Sequence, residues 1–195
     1  MPTPIQCQCH DIINLFNGLF AKSNNTRLLC AVCDGRHGDL DQPVYEPANS
    51  QRESHQIVFA HGYFASALHE ISHWCVAGKG RRLLEDFGYW YRPDGRSLQQ
   101  QEAFEKVEVK PQALEWLFSM ASRRVFVASA DNIAAETADD LSFRLAVSAQ
   151  ARAYLTHGLP PEAGLLLSQL QQNFGGQVML EQLYWPEEKK PLKRL

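Results

Sequence analysis

His69-Glu70-Ile71-Ser72-His73 sets two imidazoles four residues apart with a carboxylate between them. On an α-helix, side chains at that spacing lie one above the other, so both rings can reach a single point beside the helix. Two converging ring nitrogens suit a divalent transition metal. Two chemistries use such a motif. In zinc peptidases the intervening carboxylate, here Glu70, is the general base that activates a metal-bound water. In non-haem iron oxygenases, two histidines and one carboxylate occupy one face of the iron and leave positions for oxygen and substrate. The plain alternative is a pair of histidines that pack and hydrogen-bond without a metal.

Two histidines are too few for a catalytic centre, and a metal with open positions calls for a carboxylate. Glu102, Glu105 and Glu108 lie in the next helical segment, while Glu85 and Asp86 are nearer in sequence. Glu105 and Glu108 share a face of a regular helix. Glu108 precedes Pro111, where a break in the helix would aim its side chain. Glu108 is therefore the favoured ligand, Glu105 the alternative, and Glu102 a solvated helix position. His61 would be the fourth ligand if the site were closed and structural.

The elements that must position these groups follow from periodicity. Ile12, Leu15, Phe16 and Leu19 mark a helix over 11–20, and Thr26 to Val32 reads as a strand. A polar connection over 34–54 leads to a strand at Gln56 to Ala60. The histidine helix runs from Tyr63 to Ala77, stopped by Gly78 and Gly80. The aromatic run Asp86 to Tyr91 suits an extended strand, closed by the turn Pro93-Asp94-Gly95. Ser97 and Gln100 form a capping box for the glutamate-bearing helix, and Pro111 opens a separate helix to Met120. Two further helices cover Ala138 to His157 and Pro161 to Phe174. The expected architecture is α+β, a mainly helical single domain over 1–195 with a few short strands beside the metal-binding helix and a loose segment over 1–10.

At 195 residues, 45% hydrophobic and 21% charged, the chain can bury a substantial core. A net charge of -3 offers no general attraction to nucleic acid. No apolar run reaches the length of a membrane span and no signal peptide is visible, so a cytoplasmic protein is expected. Five cysteines include Cys7-x-Cys9 and Cys30-x-x-Cys33, with His10 and His37 nearby. Free, reduced thiols are expected, with a second zinc site as the alternative.

The stretch from Phe59 to Cys75, then Ala77-Gly78-Lys79, Arg81-Arg82-Leu83 and Asp86-Phe87-Gly88-Tyr89-Trp90-Tyr91, closely resembles the elongation factor P hydroxylase family. So do Pro93 to Arg96 and the block Phe104-Glu105, Val107 to Leu114. The resemblance covers most of the chain from about Asp11 onward and leaves the N-terminal cysteines outside it. It implies a non-haem Fe(II) protein, with O2 as co-substrate, that hydroxylates a β-lysylated lysine of elongation factor P. Carried over by position, its metal ligands are His69, His73 and Glu108, which makes Glu70 a proton-handling neighbour. Neither a 2-oxoglutarate fingerprint nor the strand-rich pattern of a double-stranded β-helix is visible.

A lysyl-lysine side chain is long and doubly cationic, so its channel should offer carboxylates and aromatic faces. Glu105, Asp86, Asp94, Tyr89, Trp90 and Tyr91 are the candidates, against a reading of the aromatics as core. Lys79, Arg81 and Arg82 could steer an acidic protein partner. They could equally complement the dipole at the end of the histidine helix.

Overall fold

A computed structural model describes residues 4–32, 43–60, 62–84, 97–129, 139–186 and 188. Its fold class is the expected one: α+β and mainly helical, with five α-helices and a three-stranded sheet among the described residues. Tertiary contacts gather into two compact units, Met1–Tyr91 and Arg92–Leu195. None of the described helices is long and apolar enough to cross a membrane.

The first unit holds α1 (Pro4–Phe20), β1 (Thr26–Cys30), β2 (Val44–Glu46), β3 (His55–Phe59) and α2 (Phe64–Val76). β3 is the central strand, parallel to β1 and antiparallel to β2. Helix α1 starts at Pro4 and therefore carries Cys7 and Cys9 on helical backbone. The short strand β2 falls within the stretch expected to be a polar connection. Three residues are too few for alternation to register, and pairing with β3 supplies what the local pattern lacks.

Helix α2 packs against α1 and β3. Its buried residues Phe64, Ala67, Leu68, Ile71, Ser72, Trp74 and Cys75 recur at helical spacing and form one stripe. The Ser72 hydroxyl donates to the Leu68 carbonyl at 2.7 Å, so the polar member of the stripe is satisfied. Trp74 meets the rings of Phe16 and Phe20 with centroids 5.2 and 5.0 Å away. Each large apolar side chain buried this way contributes about 1.5–3 kcal/mol. The helix ends because Ala77 turns extended, its N–H bonded to the His73 carbonyl at 2.9 Å. Ahead of α2, Gly62 adopts φ +69°, a conformation that favours glycine. Its carbonyl accepts a hydrogen bond from the Cys9 thiol.

The second unit is built on α3 (Leu98–Ala121), with α4 (Asp139–His157) and α5 (Pro161–Phe174) packed on it. The capping box is present: Ser97 Oγ accepts from Gln100 N–H at 3.3 Å, and Gln100 Oε1 from Ser97 N–H at 2.9 Å. The expected break at Pro111 is absent, and the two anticipated helices are one. A proline inside a helix costs about 3 kcal/mol through one lost hydrogen bond and a crowded turn. Burial of Phe104 on one side of it and of Leu114, Leu117, Phe118 and Ala121 on the other outweighs that cost. Beyond α5, a Cβ on Gly176 would stand 2.1 Å from the Met120 carbonyl oxygen, so only glycine permits this close return to the end of α3.

Candidate metal centre

His69 and His73 lie beside the buried stripe of α2, and both are half-buried. Their Nε2 atoms are 3.1 Å apart and their ring planes meet at 70°. Nitrogens bound to one ion at about 2.0–2.1 Å each must lie within roughly 4.2 Å of one another, so the pair fits a shared metal. Without an ion, one imidazole can donate to the other at the same separation. Glu70, the next residue after His69, is half-buried on this helix.

On the second unit, Glu108 is a buried carboxylate at 3% exposure. It belongs to the inward stripe of α3, one turn after Phe104 and one before Gln112. A buried carboxylate is costly unless a cation or hydrogen-bond donors oppose it. Gln112 Nε2 donates to Glu108 Oε2 at 3.4 Å. Glu105 is placed differently: it is half-buried, and Gln101 Nε2 donates to its Oε1 at 2.9 Å. Glu102 is exposed, as a solvated helix position should be.

Sequence reasoning alone passes over Gln112. The signal that could have found it is its place four residues after Glu108, on the same helix face. The candidate channel residues Asp86, Tyr89, Trp90, Tyr91 and Asp94, together with Glu85 and His61, lie outside the described residues. Among the described cysteines, Cys9, Cys30 and Cys75 are buried. Cys33 and His37 also lie outside the described residues.

The basic cluster after α2 divides. Arg82 lies 4.0 Å over the Trp74 ring and donates through Nε to the Trp74 carbonyl at 3.1 Å. Its own carbonyl accepts from the Tyr45 hydroxyl at 2.8 Å. Arg82 thus works at the C-terminal end of the helix, where a cation is favoured. Lys79 and Arg81 are exposed. Burial, opposed by the Arg82 charge, pushes the Tyr45 hydroxyl up to about 12. His55, stacked on Tyr45, is held below its ordinary pKa by burial and then by Arg82.

Comparisons with known proteins point to one family. The profile of a family described as elongation factor P hydroxylase matches residues 15–184. A protein from Haemophilus influenzae called elongation factor P lysine hydroxylase is 51% identical over 156 residues, which span 80% of this chain and 83% of the relative.

Proposed function

The chain belongs to the elongation factor P hydroxylase family, and from that membership we propose that it hydroxylates the β-lysylated lysine of elongation factor P at an Fe(II) centre, with O2 as co-substrate. The observation that carries this reading is the match, over most of both chains, to a lysine hydroxylase. The ligands we assign are His69, His73 and Glu108. In support, α2 brings the ring nitrogens of His69 and His73 together, and Glu108 is a buried carboxylate on α3. Two imidazoles and one carboxylate are also the donor set of non-haem iron oxygenases. The reaction belongs with translation, in the cytoplasm.

Iron held by such a set would supply the activation of O2. One oxygen atom enters a C–H bond of the substrate, the other leaves as water, and two electrons come from an external reductant. The remaining work falls to the protein's own side chains. Helix α2 holds both imidazoles at one register, because its opposite face is locked into the core. Glu108 brings a negative charge that offsets the cation. Glu70 adjusts hydrogen bonding and protons beside the two histidines. Glu105, Asp86, Asp94, Tyr89 and Tyr91 would receive the cationic substrate chain. Family membership weighs against a zinc peptidase with Glu70 as general base.

The test is direct. Protein purified without oxygen, loaded with Fe(II), then given O2, a reductant and β-lysylated elongation factor P should add one oxygen atom to the substrate's mass. His69→Ala, His73→Ala and Glu108→Ala should lose both bound iron and this product while remaining folded. Peptide cleavage that requires zinc and Glu70 would overturn the reading.

A further inference from the structure

Gln112 sits on α3 at 3% exposure, with its carboxamide held at both ends by one backbone residue. Its Oε1 accepts from the Ser129 N–H at 3.1 Å, and its Nε2 donates to the Ser129 carbonyl at 2.6 Å. This two-point pairing fixes which end of the amide is nitrogen. Turned over, the amide would set N–H against N–H and carbonyl against carbonyl. The NH2 group has a second hydrogen, and Glu108 Oε2 lies 3.4 Å from the same nitrogen. Ser129 therefore forces Gln112 to present a donor, never an acceptor, to Glu108.

We propose that Gln112 is a positioning residue for the metal centre: locked by Ser129, its amide holds one oxygen of Glu108 and so sets the orientation in which that carboxylate meets the metal. This rests on the reading of Glu108 as a ligand. Hydrogen-bond partners that orient metal ligands are worth about 10–100-fold in metal affinity. The rival role for Gln112 is mechanical, tying residues 124–129 to α3.

Co(II) titration of the metal-free full chain separates the two roles, with visible absorption of the bound ion as a second readout. Gln112→Met keeps nearly the same volume and removes all three hydrogen bonds. It should weaken Co(II) binding about 10–100-fold and change the visible bands of the ion that still binds. Wild-type affinity in a folded Gln112→Met protein, or weaker binding with unchanged bands, overturns the proposal and leaves the ligand assignment standing. Wild-type protein that binds Co(II) no more tightly than His73→Ala would instead overturn the ligand assignment, and this proposal with it. Should Gln112→Met fail to fold, Gln112→Asn takes its place, and the same shifts in affinity and bands are expected. Its amide is one methylene too short to span Ser129 and Glu108, so wild-type affinity or unchanged bands in that variant overturn the proposal equally.

Discussion

Side chains on α2 divide into those that anchor the helix and those left for chemistry, and the division sets what each substitution should do. The anchors are the buried apolar stripe, each large member contributing about 1.5–3 kcal/mol. His69, Glu70 and His73 lie off that stripe and are only half-buried, so changing them should cost little stability. Glu70 separates the two chemistries its motif can serve. As a peptidase base it would be indispensable to turnover. As a neighbour of iron ligands it acts through hydrogen bonding, so Glu70→Gln should retain iron and lose about tenfold in hydroxylation rate. Rates and iron content measured on the same preparation check this. Complete loss of turnover with iron retained would make Glu70 an obligatory base.

At the scale of elements, the end of α2 is fastened by contacts that reach across the first unit. Arg82 covers the Trp74 ring and bonds its carbonyl, while Tyr45 of β2 holds the Arg82 carbonyl. The three-residue strand β2 thus braces the turn that follows the histidine helix. Arg82→Met keeps an apolar chain over Trp74 but removes the charge and its hydrogen bond. It should cost about 1–2 kcal/mol, which lowers the melting temperature by about 2–8 °C. Burial is the main cause of the depressed His55 pKa and would persist, but the Arg82 contribution would go. His55 should then titrate at higher pH than in the wild type, nearer its ordinary value, as followed by NMR. An unmoved His55 titration would show that Arg82 does not act on it.

For the molecule as a whole, a net charge of -3 gives no general pull toward an acidic protein, so any steering must be local. Arg82 is engaged within the first unit, which leaves Lys79 and Arg81 as the exposed cations of that cluster. Exposed charges at the rim of a docking surface act mainly on the rate of encounter. Lys79→Glu/Arg81→Glu should therefore slow hydroxylation several-fold at limiting elongation factor P and flatten its salt dependence. The rate at saturating substrate should hardly change. Steady-state kinetics at two ionic strengths provide the check, and an unchanged limiting rate removes this cluster from the docking surface.

Local pattern in the sequence determined the elements whose period or caps are complete within a few turns. Helix α2 lies one residue inside each expected end, the Ser97–Gln100 box opens α3, and Pro161 and Gly175 bound α5. The His69–His73 pair was equally legible, because four residues on a helix always share a face. The family, too, was legible in the long motif around those histidines. What needed the tertiary structure was every feature set by partners distant in sequence. Pro111 stays inside a continuous helix because buried residues on both sides outweigh a local penalty. β2 exists because β3 pairs with it. Arg82 became a brace for Trp74 when the turn after α2 folded back. Glu108 and Glu105 are chemically alike and one turn apart, so spacing could only rank them. The fold buries Glu108 beside Gln112 and ties Glu105 to Gln101, a difference in desolvation that local pattern does not carry.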